Sequence, residues 1–205
     1  MTRPLDDKKP QSVTDPFLPH GYFGDNACVD NFMGFSQLSE YYTRSADDLV
    51  SCALEDYCLL DVHIYAICFL YRHGLELILK DIVWKTHYIL TGEKRFAQSN
   101  WKELGCHGLS SLWVQGRVDS QSVLPDGLPF DACATDEVGQ LLLQFERHDP
   151  NSYSFRYPIG KKTGRTHPDI NNVNIRALRD RVRGVRGHLE LLLSRINWCY
   201  EHHNE

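Results

Sequence analysis

Two long stretches of the chain repeat apolar residues at steps of three and four. Across residues 54–90 the stripe is Leu60, Ile64, Ile67, Tyr71, Leu75, Ile78 and Ile82, with no proline and only Gly74 as an internal glycine. That period predicts an α-helix. Val62, Tyr65, Cys68, Leu70 and Leu79 fall between the stripe positions, so this helix is expected to be covered on more than one side and to be the centre of the fold. The second stripe is Leu178, Val182, Val185, Leu189, Leu192, Ile196 and Cys199. It predicts a last helix that starts near Asn171 or Asn172 and runs past Trp198.

The intervening segments carry weaker patterns. Apolar residues are sparse over 36–49, where a helix is still expected, and residues 107–116 predict a short helix burying Leu109, Leu112 and Trp113. Thr135, followed by Asp136 and Glu137, predicts a helix start, because a hydroxyl accepts from exposed backbone N–H groups and carboxylates favour the positive end. Residues 149–169 alternate aromatic and polar side chains, the pattern of a hairpin or a structured loop. Pro4, Pro10, Pro16 and Pro19 break residues 1–34, which are expected to form an extended arm anchored by Phe17, Tyr22 and Phe23. Two long helices with short ones between them make an all-α bundle, expected as a single domain over residues 35–205.

Composition adds boundaries. A chain of 205 residues with 42% hydrophobic and 24% charged residues can bury a core without metals or disulfides, and is neither disordered in bulk nor a repeat array. Its seven cysteines form no close pair and cannot all pair internally, which fits a reduced, cytoplasmic chain. The first residues carry charges of both signs, unlike a secretory signal, and the run from Ile64 to Tyr71 is short of the roughly 20 residues that span a bilayer. A soluble protein without membrane association is expected. The sequence contains no phosphate-cradling glycine loop, dinucleotide fingerprint or zinc spacing, and Cys199 with His202 and His203 is too compact for a metal set. No cofactor and no metal are expected.

Charge is unevenly placed. The net value is -5, yet residues 147–195 hold eleven Lys and Arg against four Asp and Glu, a local +7. Within that region Arg176, Arg179, Arg183 and Arg186 step 3, 4, 3 beside the last apolar stripe, and Lys161, Lys162 and Arg165 precede them. Arginine suits phosphate through its bidentate fork and permanent charge, so these seven residues are the candidate nucleic-acid surface. The competing reading is a solvated charged face. Charge also enters the central helix: Arg72, Glu76 and Lys80 stand four apart on one face, with His73 one step round. Amid apolar neighbours such a cluster is expected to be partly buried and paired, either fixing helix register or forming the floor of a site.

Three short motifs in order carry a family likeness: the segment from Tyr71 to Lys80, then Gly105-Cys106-His107-Gly108-Leu109-Ser110-Ser111-Leu112-Trp113, then Phe155-Arg156-Tyr157-Pro158 before a long helix. Over residues 55–200 the chain resembles a branch of the HEPN-like superfamily of prokaryotic helical domains. The resemblance implies a bundle of four to five helices that often dimerises. It also implies metal-independent endoribonuclease activity in toxin-antitoxin, abortive-infection or other defence systems, or a non-catalytic binding or scaffold module descended from such enzymes. The implied partners are RNA, a protein partner or antitoxin, and a second copy of the chain as a homodimer.

Nuclease members carry Arg, four to six residues, then His, usually with a polar residue straight after the Arg. Arg183 with His188, Arg181 with His188 and Arg195 with His202 have that spacing, against about two matches expected by chance, and Gly184 stands where the pattern has a polar residue. RNA cleavage without metal needs a base for the 2′-OH proton, a cation for the phosphorane and an acid for the leaving oxygen. The candidates for this chemistry are His73, Glu76, His107, Arg156 and Tyr157. Glu76 and Arg156, both set among apolar or aromatic residues, are expected to pair with each other.

Overall fold

The computed structural model describes residues 27, 29, 33–92, 107–150, 152–157 and 170–202. These hold five α-helices and no strand: α1 Phe35–Glu55, α2 Leu60–Thr91, α3 Leu109–Val123, α4 Ala132–His148 and α5 Ile175–Glu201. The all-α bundle expected from the periodicities is the observed architecture. The chain divides into two units, Met1–Met33 and Gly34–Glu205, and all five helices belong to the second. The arm expected over residues 1–34, with Phe17, Tyr22 and Phe23, falls almost wholly outside the described residues.

Helix α2 lies at the centre, packed on α1, α3 and α5; α3 packs on α4, and α4 and α1 each touch α5. Its predicted stripe is buried from Ile67 onward, where Ile67, Tyr71, Leu75, Ile78 and Ile82 are sealed, while Val62 and Tyr65 near its start face solvent. The stretch Tyr57–Thr91 is 35 residues long and apolar enough to cross a bilayer by length and composition alone, and 56% of its most apolar window is buried inside the structure. A central helix in a bundle has the same two properties. Helix α5 buries Val182, Val185, Leu189, Leu192 and Ile196, as its period predicts.

Four boundaries differ from the sequence reading, each for a local reason. The helix predicted over 54–90 is divided at Asp56, whose extended backbone ends α1; its carboxylate accepts from the Cys58 N–H to open a 3-10 turn, Tyr57–Leu59, ahead of α2. Helix α3 does not stop at Gly116 but continues to Val123. A Cβ on that glycine would sit 3.0 Å from Ile82 Cγ2, so its missing side chain serves close packing on α2. Helix α4 starts at Ala132 instead of Thr135: Asp131 caps it by accepting from the Ala134 N–H, and the Thr135 hydroxyl donates to the Asp131 carbonyl. Helix α5 starts at Ile175, capped by Asn174, which accepts from the Ala177 N–H, three or four residues later than the expected start at Asn172 or Asn171.

Residues 149, 150 and 152–157 hold turns and no strand. The Asp149 carboxylate accepts from the N–H groups of Tyr153 and Ser154, and Arg156 N–H closes on the Tyr153 carbonyl. The rest of the expected hairpin or loop, residues 158–169, lies outside the described residues.

Candidate functional site

Arg72, on the central helix, has no solvent exposure and is the organising group of the site. Its Nη1 donates to Glu76 Oε2 at 2.9 Å, its Nη2 to the His107 carbonyl at 2.6 Å and its Nε to the Asp149 carbonyl at 3.0 Å. The Asp149 Oδ2 atom, which accepts no hydrogen bond, stands 3.5 Å from that Nε as an ion pair. One side chain thereby joins α2 to the residue before the α3 cap and to the residue that ends α4. Asp149 is one residue past the negative end of α4, a poor place for a carboxylate unless a cation is brought to it.

Glu76 sits one turn along from Arg72 and is 1% exposed. Its Oε1 accepts from Lys80 Nζ at 2.7 Å and lies 2.9 Å from His107 Nδ1. Burial pushes the Glu76 carboxyl up, but the hydrogen bond and charge of Lys80, joined by those of His107, outweigh it and hold the group below the ordinary carboxylate value. Glu76 is therefore ionised at neutral pH, and the Nδ1 facing it carries the proton. The His107 ring is 53% exposed, and among the described residues Nδ1 is its bonded nitrogen. An oriented, half-exposed imidazole backed by a buried carboxylate has the form of a general base.

The expected pairing of Glu76 with Arg156 does not occur. Arg72, on the same helix, and Lys80 and His107 take both carboxylate oxygens, and a loop arginine competes poorly with an i,i+4 partner. Arg156 instead donates Nε to the Ser152 carbonyl and lies over two rings, 5.6 Å from the Phe69 centroid and 5.7 Å from that of Tyr157. Phe69 stacks on His73 at 5.6 Å and 7°, and His73 meets Tyr42 of α1 edge-on at 4.7 Å. Burial, ahead of the charges of Lys80, Arg72 and Arg156, lowers the His73 value against the raising effect of Glu76.

Of the five candidates for cleavage chemistry, Glu76 and His107 are in direct contact, while His73 and Arg156 share contact with Phe69, and Tyr157 stands beside Arg156. Asp149, Phe69, Ser152 and Tyr153 also build the region and were not singled out from the sequence. Asp149 could have been found as an acid at a helix C-terminus following Arg147 and His148, where charge balance calls for a buried cation. Cys68 is 2% exposed; burial, with the charge of Asp149 second, pushes its thiol up to about 12, so it stays protonated and is no nucleophile at neutral pH.

The arginine row on α5 is mostly engaged. Arg183 pairs with Asp47 of α1 at 2.9 Å, and Asp47 also accepts from the buried Tyr71 hydroxyl, so three helices meet there. Arg186 bonds Glu190 and donates to the Ser39 carbonyl, and Arg179 bonds Asp180, while Arg176 is exposed at the rim of a groove of about 490 Å³ with Tyr57, Tyr65 and Phe155. Lys161, Lys162 and Arg165 lie outside the described residues. Of the Arg-to-His pairs, Arg183 is held by Asp47, Arg181 by Gln144, and His188 stands 3.7 Å from Glu137 and against Phe130. Among the described residues no three metal-ligating side chains gather, and His202 stacks on Trp198.

Two pKa directions give a pH prediction. His73 and Glu76 both bind a proton less readily in the fold than in the unfolded chain, so stability falls as pH falls: below about 6.5 through His73, and below 4.5 through Glu76. Urea midpoints at pH 7.5 and 5.5 should differ more for the parent than for His73→Phe, which keeps the ring contacts and cannot take a proton. Equal differences would dismiss His73 as a contributor.

Compared with protein-family models, curated proteins and solved structures, the chain matches none.

Proposed function

We propose that this protein is a cytoplasmic, metal-independent endoribonuclease of HEPN-like type, acting in a prokaryotic stress or defence system. The observation that carries the reading is the Glu76–His107 dyad: a buried, ionised carboxylate 2.9 Å from Nδ1 of an imidazole that is half in solvent. In the proposed reaction Nε2 of His107 takes the 2′-OH proton of a bound ribose. The 2′ oxygen attacks the adjacent phosphorus, and the bond from phosphorus to the 5′ oxygen breaks. The departing oxygen recovers its proton from the imidazolium formed in the first step, leaving a 2′,3′-cyclic phosphate and a 5′-hydroxyl. Glu76 holds the imidazole and balances its charge, and exposed Arg156 supplies the cation for the phosphorane. A place for α2 in a protein core instead of a bilayer is supported by the four charged side chains, Arg72, Glu76, Lys80 and Asp81, buried midway along it.

The test is incubation of the purified chain with single-stranded RNA in a chelator. The parent should cleave, and His107→Ala should reduce the rate about 10²- to 10⁴-fold while melting like the parent, since the ring it removes is half exposed. Cleavage that survives His107→Ala, or that the chelator stops, defeats the reading. A second reading, a non-catalytic helical module that binds a protein partner, an antitoxin or its own copy, is favoured by the exposed Val114, Val118 and Leu143 on α3 and α4. Under it, parent and variant would be equally inert toward RNA.

A further inference from the structure

A buried carboxylate facing an imidazole can act in two opposite ways. It can orient the ring as a base, or it can hold the ring as an imidazolium that has no base left to offer. The charge around the pair decides between them, and Glu76 is not an isolated acid. Its Oε1, which faces His107 Nδ1 at 2.9 Å, also accepts from Lys80 Nζ at 2.7 Å, while Arg72 Nη1 donates to Oε2 at 2.9 Å. We propose that Lys80 is a positioning residue for His107: by sharing one carboxylate oxygen with the imidazole it offsets the charge of Glu76, so that the carboxylate orients the ring without locking it as a counter-ion. This deepens the ribonuclease reading and rests on it.

Three features support the assignment. The charges balance only with Lys80: buried Arg72 and Lys80 stand against buried Glu76 and Asp149, and without the ammonium the cluster beneath the ring is net negative. A net negative cluster favours an imidazolium. Glu146 of α4, which accepts from the Ser110 N–H three residues after His107, adds to that demand. The ammonium is also fixed and shielded, since its side chain is 10% exposed and stands one helical turn from Glu76, where salt and water screen it little. Finally, a second imidazole feels the same opposition. Burial is the largest cause of the lowered His73 value, and around it Glu76 acts to raise that value while Lys80, Arg72 and Arg156 act to lower it.

The full chain, isotopically labelled at histidine, is titrated by NMR, with the His107 signal identified by its absence from His107→Ala. Lys80→Met and Lys80→Gln should each raise the pH at which His107 is half protonated by about 1 pH unit or more, because the cation on the shared oxygen is gone. Lys80→Gln keeps an uncharged donor beside Glu76, so it carries the test even where Lys80→Met lowers stability. Lys80→Arg should keep the parent midpoint, and so should Lys85→Met, which removes the cation paired with Asp81 farther along α2. A Lys80→Gln midpoint within about 0.3 pH unit of the parent, or an equal rise in Lys85→Met, overturns the assignment. Cleavage of single-stranded RNA is followed over the same pH range. In a chain that cleaves, the acid limb of the rate should move up with the His107 midpoint in Lys80→Gln, a displacement that a merely structural lysine does not produce. A raised midpoint in a chain that does not cleave keeps the role of Lys80 and ends the ribonuclease reading; a chain that cleaves while the Lys80→Gln midpoint stays in place does the reverse.

Discussion

Arg72→Met should lower stability by about 3–5 kcal/mol, read as a shift in urea midpoint with an unchanged slope. The methionine fills much of the volume, so packing is not the main loss. What is lost is the only cation within ion-pair distance of the Asp149 carboxylate among the described residues, and that carboxylate has no solvent exposure and one oxygen already without a hydrogen bond. The buried carbonyl of Asp149 and that of His107 lose their donor as well. Glu76 keeps Lys80 and His107, so the damage falls on the junction with α3 and α4 and not within α2. Lys80→Met, which removes one partner of Glu76 from a side chain 10% exposed, should cost less. Arg72→Lys should recover only a minor part, because one ammonium cannot reach three acceptors on three elements with the geometry of a guanidinium. A loss below about 1 kcal/mol for Arg72→Met would show that water or a shifted loop replaces these bonds.

Helices α2 and α5 were legible because large apolar side chains mark their buried faces. Helix α1 has the same period but writes it in small residues, Ser39, Thr43, Ala46, Val50 and Ala53, all buried at steps of 4, 3, 4 and 3. A reading weighted by hydrophobicity sees such a face as sparse, although small side chains are what allow α1 to lie close to Gly74. The helix starts were missed where more than one capping residue was on offer, as with Asp131 before Thr135. For the site, the sequence argued correctly that Glu76 would be buried and paired, and chose the wrong cation. Sequence spacing shows Arg72 as an i,i+4 neighbour, but only the fold shows that its remaining donors point at carbonyls from two other segments. Tyr153 and Phe69 became part of the region through stacking, and stacking partners distant along the chain leave no mark on periodicity.

Gly74→Ala should destabilise the protein by about 1–3 kcal/mol, opposite in sign to helix propensity, which favours alanine by about 1 kcal/mol inside a helix. A Cβ there would lie 2.5 Å from Thr43 Oγ1 and 3.2 Å from the Ser39 carbonyl oxygen. Neither atom is free to move away: Thr43 Oγ1 donates to that same carbonyl at 2.8 Å, and Ser39 Oγ donates to the Gly74 carbonyl at 2.7 Å. Relief requires α1 to back off, which strains the Arg186 bond to Ser39 and the Asp47 bridge to Tyr71 and Arg183, and draws Tyr42 from the His73 ring. Thr43→Ala in the same chain should restore part of the loss by removing the nearer atom, leaving the carbonyl contact. Gly187, in α5, supplies the opposite case, because a Cβ on it would meet no atom within 4 Å: Gly187→Ala should raise stability by about 0.5–1 kcal/mol. If chemical denaturation moves both glycine variants in the same direction, the contact between α1 and α2 is looser than these distances require, and propensity alone governs the two sites.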